Sequence, residues 1–239
     1  YGNKAANGVI LITTHKARGG RTDVTVNHRT TVGYFTDRLN VWRDPLLMAQ
    51  IANEELTNAG LPALYTGRYE NGTYYPSLIE IQRGEWSRTD WADLCLRTAI
   101  VNNTTLSVAH STERGSVNAS GGYYDDQGVY RKDGFKKGNV QLNGTWKLGR
   151  NFTLQASNLF SIHERRVNNT LEYGRNPLWP VYDENGDYYI SSPTDFSHPL
   201  VVTDNTKNST AGRDLISSLA AEWEIVGGVK LRTQLNYNY

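Results

Sequence analysis

Residues 140–156 read VQLNGTWKLGRNFTLQA, and apolar and polar side chains alternate along this stretch. A period of two is the spacing of side chains that share one face of a β-strand. The alternation is interrupted at Gly149-Arg150-Asn151, where a glycine-containing segment of three residues predicts a tight turn. The stretch therefore predicts a β-hairpin in which each strand has one apolar face and one polar face.

The same alternation returns elsewhere, in runs that contain Val24, Leu106, Val117, Leu219 and Val229. Together with the hairpin, these runs predict an all-β chain of about seven strands, each of about ten residues, which is the length that a tilted strand needs to cross a bilayer. Strands of soluble proteins are usually nearer five or six residues. The strand length therefore favours a transmembrane β-barrel over a soluble sheet.

The connections between these strands are alternately short and long. Short connections are predicted at Ser111–Ser116, Gly149–Asn151 and Val226–Gly228, and long ones at Phe35–Val101, Asp125–Lys137 and His163–Arg213. Bacterial outer-membrane barrels have short periplasmic turns and long extracellular loops. The pattern therefore predicts part of an antiparallel transmembrane barrel whose three long connections all lie outside the cell.

The first long connection contains signals for two short helices. Asp44 is a suitable N-cap and Pro45 a suitable first helical residue, and Gly60 is expected to end this helix. Its apolar face is expected to contain Leu47, Ile51 and Leu56. A second helix is expected after Thr89, running through Trp91, Leu94 and Ala99. The extracellular loops are therefore expected to contain structure of their own.

The composition excludes several classes of protein. With 25 basic and 24 acidic residues the net charge is +1, so no nucleic-acid-binding surface is indicated. The single cysteine, Cys95, cannot form an internal disulfide and is expected to be a small buried residue. No run approaches the roughly 20 apolar residues of a membrane-spanning helix, but the strands of a barrel are only half apolar.

The start of the chain has a different pattern. Residues 8–14, GVILITT, are almost continuously apolar, which predicts a strand buried on both faces, and a basic linker with two glycines follows at 15–20. A domain boundary is expected there. The chain begins with Tyr1, without a signal peptide, and stops within an alternating run at Tyr239. We therefore expect it to be a fragment of a longer protein.

Residues 1–16, YGNKAANGVILITTHK, closely resemble the segment YGSRAANGVILITTKKG that ends the plug domain of SusC/RagA transporters. The differences, at Asn3, Lys4 and His15, are mild. Residues 89–91, 106–108 and 121–129 also resemble the early barrel of that family. The plug motif is assigned to Tyr1, Gly2, Ala5, Ala6, Asn7 and Gly8.

The resemblance implies a specific arrangement. Residues 1–18 would be the C-terminal end of a plug domain and residues 19–239 the N-terminal part of the transmembrane barrel, since family members belong to the outer-membrane transporters of about 22 strands. The whole protein would import a large nutrient, an oligosaccharide or a peptide, across the bacterial outer membrane. A SusD-like lipoprotein and TonB would be its partners, with TonB contacting a segment upstream of this chain. It would not be an enzyme and would need no cofactor.

Two alternatives remain open. A passive porin would share the barrel but would lack a folded plug, and a soluble carbohydrate-binding β-sandwich would fold without detergent. The sandwich is disfavoured because seven long strands with open edges leave backbone groups unpaired.

Aromatic residues in the long connections are the candidate contacts for a substrate or for a capping partner. Tyrosine and tryptophan stack on sugar rings and also dominate protein interfaces, and both uses stay open. These candidates are Trp86, Trp91, Tyr173, Trp179, Tyr182, Tyr188 and Tyr189. Strand aromatics on the apolar faces are instead expected to face lipid: Tyr123, Trp146, Phe160 and Trp223.

No catalytic or metal site is expected. Residues 183–187, DENGD, resemble the start of a calcium loop, but Thr194 occupies the twelfth position, where a bidentate glutamate is needed. Asn185-Gly186 is more typical of a hairpin turn. The five histidines are scattered without the spacing of a metal site, and no nucleophile motif is present.

Overall fold

A computed structural model describes residues 20–36, 43–168, 175–192 and 197–239. In chain order its elements are β1 (Thr22–Gly33), α1 (Pro45–Asn58), β2 (Arg68–Glu70), β3 (Thr73–Tyr75), α2 (Leu78–Arg83), α3 (Trp91–Cys95), β4 (Ala99–Thr112), β5 (Gly115–Gln127), β6 (Gly134–Leu148), β7 (Phe152–Arg166), α4 (Pro199–Asn205), β8 (Ser209–Val226) and β9 (Val229–Asn238). The opening apolar run and the plug motif lie outside the described residues.

Seven long strands form one antiparallel sheet in the order β1-β4-β5-β6-β7-β8-β9. Each strand pairs with the next long strand in the chain, so the sheet is a simple up-and-down meander. The strands are 10 to 18 residues long. The predicted number and antiparallel pairing of the strands are therefore confirmed, but six of the seven strands are longer than the predicted ten residues. In the described residues the sheet is open rather than a closed barrel.

The sheet has one apolar face and one polar face. A row of paired residues on the apolar face runs across six strands: Val26, Leu106, Gly121, Val140, Phe160 and Leu215. On the opposite, polar face, one row of paired residues contains Asn118, Asn143, Ser157, Ser218 and Asn236. A slip of one residue in the pairing of a strand would move all its side chains to the other face. The observed register therefore keeps the apolar residues of all strands on the same face.

The apolar face is exposed. Val26 is 66% exposed and Trp223 48%, and within the described residues no second layer covers this face. A β-sandwich would bury such a face against another sheet about 10 Å away. Leaving a large aliphatic or aromatic side chain in water forgoes roughly 1.5–3 kcal/mol. The arrangement fits a barrel wall that faces lipid.

The connections alternate as predicted. The short connections, at 113–114, 149–151 and 227–228, join the strands at one end of the sheet, which we call the turn end. Gly149 and Gly228 have φ angles of +80° and +88°, which favour glycine. The long connections, 34–98, 128–133 and 167–208, lie at the opposite ends of the strands, which we call the loop end. The predicted Asp125–Lys137 connection is shorter than expected, because β5 and β6 continue pairing as far as Gln127 and Gly134.

Helix α1 begins and ends where predicted. The Asp44 carboxylate accepts a hydrogen bond from the Leu46 amide at 2.9 Å, and Gly60 follows the helix with a φ angle of +73°. Its predicted apolar face is wrong: Leu47 is 51% exposed and Ile51 39%, whereas Ala49 is fully buried. The reason is tertiary, because a small core containing Tyr65, Ile81 and Leu178 packs on the Ala49 side.

Helix α3 is shorter than predicted. Asp90 caps it by accepting a hydrogen bond from the Asp93 amide, but the helix stops at Cys95 and Ala99 already belongs to β4. The chain leaves the helix because the Cys95 carbonyl and the Arg97 amide bond to the backbone of residues 128–133. Cys95 is buried, as predicted. Among the described residues, no helix has the length and apolarity that crossing a membrane requires.

Candidate functional site

The long connections fold together into one structure at the loop end, here called the loop cap, formed by residues 43–98, 128–133, 175–192 and 197–208. Thr89 joins the first and third connections, because its amide donates to the Pro177 carbonyl at 2.9 Å and its hydroxyl to the Trp179 carbonyl at 2.7 Å. The Asn176 side-chain amide donates to the Tyr65 hydroxyl at 3.0 Å. The loops are therefore a folded layer with a core of its own.

Arg175 is the centre of this layer. Its guanidinium lies 4.8 Å from the ring centroid of Trp91 and 5.0 Å from that of Trp179, and the residue is only 4% exposed. It also donates to the Ser197 hydroxyl and to the Tyr189 carbonyl, at 3.0 and 3.2 Å. A buried guanidinium between two aromatic faces is a strong cation–π arrangement. It ties both ends of the third connection to the first.

Several aromatic candidates are therefore packed inside the cap. Trp91 is buried, and its indole N–H donates to the Asn176 carbonyl at 3.0 Å. The His198 ring lies 5.2 Å from Trp91 and 5.0 Å from Tyr188. The structure thus brings Trp91, Trp179, Tyr188 and Tyr189 together around Arg175 and His198, where their contacts hold the cap together.

The remaining candidates are separate from this cluster. Trp86 stacks on Tyr74 with ring centroids 5.6 Å apart and packs against the core under α1. Tyr182 stacks on Tyr188 at 5.4 Å and is 51% exposed, the most open of the six candidates in the described part of the chain. Tyr173 lies outside the described residues. A role in substrate or partner contact remains a prediction for all seven.

Residues 183–187 form a turn. The Asp183 carboxylate accepts hydrogen bonds from the amides of Asn185 and Asp187 at 2.9 and 3.0 Å, and Gly186 has a φ angle of +85°. Tyr182 and Tyr188 form an isolated antiparallel bridge beside it. The predicted hairpin turn is confirmed, although it joins single residues rather than strands. Within the described ranges, no group of three or more potential ligands is placed to hold a metal ion.

A charged group links the second connection to the third. The Lys132 ammonium lies 2.6 Å from one oxygen of Asp204, and the Tyr188 hydroxyl donates to the other. These hydrogen bonds, with that of Lys132 the largest cause, hold the pKa of Asp204 below its usual range. The hydrogen bond to Asp204 raises the pKa of Tyr188 to about 12, so the phenol keeps its proton at neutral pH and donates this hydrogen bond. No sequence pattern signals this group, since Lys132 and Asp204 lie far apart in the chain.

The polar face carries aromatic and cationic residues near the loop end. The Phe135 ring lies 6.0 Å from Tyr124 and 6.1 Å from His163, each on a neighbouring strand. A cavity of about 550 Å³ opens here, lined by Tyr124, Asp126, Gly128, Asp133, Gly134, Phe135 and Arg165. Gly212 permits this packing, because a Cβ at that position would collide with the His163 ring. The sequence predicts only that these residues lie on the polar face.

A second cavity, of about 670 Å³, lies near the same end, and several of its lining residues belong to the apolar side of the sheet. Two of its cations are paired: Lys136 lies 3.8 Å from Asp125 and Arg166 lies 2.8 Å from Glu164. These pairs mark the level at which the apolar face ends and charged residues begin. Such a border is expected where a lipid-facing wall meets the membrane surface.

Comparison with known proteins agrees with this architecture. No protein-family model matches the chain. It is 24% identical over 236 residues to TonB-dependent receptor P26 of Formosa agariphila, covering 93% of this chain and 22% of that protein. It is 26% identical over 261 residues to TonB-dependent receptor SusC of Bacteroides thetaiotaomicron, covering 99% and 23%. The chain therefore spans less than a quarter of the length of these relatives.

Solved structures show the same fold. The RagAB peptide importer in its closed-closed state aligns with a TM-score of 0.69 and 20% identity, over all of this chain and 30% of that one. The open-open state of the same importer gives 0.67 over 98% of this chain and 29% of that one. The chain is therefore similar in sequence to TonB-dependent receptors, and its open sheet has the fold of part of the matched importer. These similarities support a SusC/RagA-family TonB-dependent transporter, in agreement with the resemblance of the opening motif.

Proposed function

We propose that this chain supplies one part of the barrel wall, and part of the extracellular cap, of a transporter that imports a large nutrient across the bacterial outer membrane. The observation that carries the proposal is the sheet with an exposed apolar face, a polar opposite face and a folded cap at one edge only. The proposal assigns residues 1–18 to the end of a plug and residues 19–239 to the first part of the barrel.

In this proposal the polar face lines the path of the nutrient. Its middle rows are rich in uncharged amides and hydroxyls, among them Asn143 and Ser157, whose side chains bond to each other at 2.7 Å. Such groups exchange hydrogen bonds with a passing oligosaccharide or peptide without holding it by charge. Transport would involve no covalent chemistry by this chain, in keeping with curated relatives that are receptors rather than enzymes.

The proposed partners follow from the same architecture. A SusD-like lipoprotein would sit on the loop cap from outside, and TonB would act through a part of the protein upstream of this chain. A matched solved structure is described as a peptide importer. The oligosaccharide alternative rests on the family resemblance of the opening motif, so both nutrient classes stay within the proposal.

A passive porin is the main alternative, and energy dependence separates the two. Cells that express the complete transporter would be given a fluorescently labelled oligosaccharide and, separately, a labelled peptide. Import that stops when the proton gradient is dissipated, or when TonB is deleted, is the expected result. Import that continues unchanged under both conditions would contradict TonB-dependent transport and favour a porin.

A further inference from the structure

Three cations on the polar face lie close to the loop end without a carboxylate partner. Arg29 is on β1, Lys137 on β6 and Arg165 on β7, and among the described residues none of them forms an ion pair or a side-chain hydrogen bond. Most other strand cations at this end are paired, as Lys136 is with Asp125 and Arg166 with Glu164. Unpaired charge on a lumen-facing wall is available to a ligand.

The register places these cations beside the aromatic row. Lys137 lies between Tyr124 and His163 in one row across the sheet, and Arg165 pairs with Phe135 in the next row. Arg29 belongs to the same row as Tyr124 and acts on its hydroxyl electrostatically. The cations and rings therefore form one surface, here called the cationic rim: Arg29, Tyr124, Phe135, Lys137, His163 and Arg165.

Three carboxylates lie near the rim: Asp126 and Asp133 line the same cavity as Arg165, and Asp214 is on β8. Asp214 is already occupied, because it accepts a hydrogen bond from Ser161 at 2.9 Å and lies 3.4 Å from the His163 ring. The Asp126 carboxylate accepts a hydrogen bond from the Tyr124 hydroxyl at 3.4 Å. The row through Asn118 and Asn143, deeper on the same face, contains no charge from there to Asn236. The uncharged middle of the polar face therefore ends at the rim, where cations and carboxylates both occur.

We infer that the cationic rim binds carboxylate groups of the transported nutrient, so the substrate class is an anionic oligomer rather than a neutral one. This inference rests on the proposed function. Arginine and lysine form strong charge-assisted hydrogen bonds with carboxylates, and a cation without a carboxylate partner is free to form one with a ligand. Rings of basic side chains select anions in other pores.

The aromatic rings supply the rest of such a site. Tyr124 and Phe135 line a cavity of about 550 Å³ together with Arg165, Asp126 and Asp133, and ligand sites commonly combine aromatic lining with a few charged groups. A uronate-containing oligosaccharide and an acidic peptide both carry carboxylates on a body that packs on rings. The shared chemistry is the carboxylate, and the two sources are separated by the test.

The strand pattern provides a matched control. Lys136 and Lys137 are neighbours on β6, and Arg165 and Arg166 are neighbours on β7, but in each pair one residue lies on the polar face and the other on the apolar face. The double variant K137Q/R165Q removes two charges from the rim. The double variant K136Q/R166Q removes the same two charges one residue away, on the other face.

The test is calorimetric titration of the purified complete transporter with two probe pairs. One pair is tetragalacturonate and its methyl ester, and the other is a tetrapeptide of glutamate and one of glutamine. Tighter binding of one anionic probe than of its neutral partner is expected, weakened about tenfold or more by K137Q/R165Q and little by K136Q/R166Q. Whichever pair shows the difference identifies the carboxylate source.

Raising the salt concentration tests the unmodified protein independently, and only binding of the anionic probe is expected to weaken. Equal affinity for charged and neutral probes, no binding of either anionic probe, or an anionic affinity unchanged in K137Q/R165Q would overturn the inference. None of these results concerns energy dependence, so the proposed import function would stand or fall on its own uptake experiment.

Discussion

At the scale of single residues, the loop cap depends on Arg175 more than on the aromatic rings around it. One guanidinium contacts Trp91 and Trp179 and donates to Tyr189 and Ser197, so residues from three segments of the loop cap meet at a buried charge. The sequence shows the aromatics plainly but not their common partner. Interleaved tryptophans and tyrosines in a loop can therefore indicate internal packing as well as a binding surface.

The Arg175→Ala variant is expected to loosen the cap and leave the sheet intact. Loss of two cation–π contacts and two hydrogen bonds should lower the local stability by about 2–4 kcal/mol. Hydrogen exchange followed by mass spectrometry would show faster exchange at residues 89–95 and 175–192, with the strands unchanged. Arg83→Ala, at an exposed position, is the control. Equal protection in the two variants would show that Arg175 does not hold the cap.

The Lys132–Asp204–Tyr188 group predicts a pH dependence with a definite sign. Because the pKa of Asp204 is lowered in the folded protein, its contribution is present above the ordinary carboxyl value, about 4, and is lost as the pH falls through the lowered folded value. At neutral pH, Asp204→Asn should reduce exchange protection at residues 128–133 and 197–205. The difference between variant and parent protein should vanish in acid. A difference that persists there would exclude the ionised carboxylate as its source.

At the scale of elements, the strands follow from the sequence and the loop helices follow only in part. Alternation with a period of two predicts both that a segment is a strand and which face of the sheet each side chain lies on. Every side chain from Val140 to Leu148 must lie on one of only two faces. A helix can bury any of several faces, so its sequence alone does not decide which one is packed. Helix α1 buries Ala49 rather than Leu47 because Ile81 and Leu178, from distant segments, pack against that side. Helix α2 was not predicted, although its capping box of Ser77 and Glu80 is a recognisable sequence signal. The cationic rim has no such signal, because it depends on register across several strands.

The corrected face of α1 can be tested with two substitutions on one helix. Ala49→Leu should destabilise the cap by about 1–3 kcal/mol, because a fully buried site has no room for the larger side chain. Leu47→Gln, at a half-exposed position, should change the stability by less than about 0.5 kcal/mol. Urea unfolding of the cap, followed by tryptophan fluorescence, measures both. The opposite ranking would restore the face that the sequence predicts.

At the scale of the whole molecule, an open sheet with one bare apolar face makes sense only as part of a larger assembly in a membrane. The apolar rows end where the Lys136–Asp125 and Arg166–Glu164 pairs begin, and the folded cap stands beyond that level. In the proposed transporter, the uncharged middle of the polar face and its cationic rim would lie along the route from outside to inside. The lipid-facing wall and the proposed selectivity would then come from alternate residues of the same strands.

The central claim is that one face of this sheet meets lipid and the other lines a polar lumen. It is tested most directly by attaching a nitroxide spin label to Leu142→Cys and, separately, Asn143→Cys in the complete transporter, reconstituted in lipid vesicles. Molecular oxygen, which dissolves in the bilayer, should relax the label at 142 more strongly, and a water-soluble nickel chelate should favour 143. Equal access of the chelate to both positions, or the reverse order, would contradict the account.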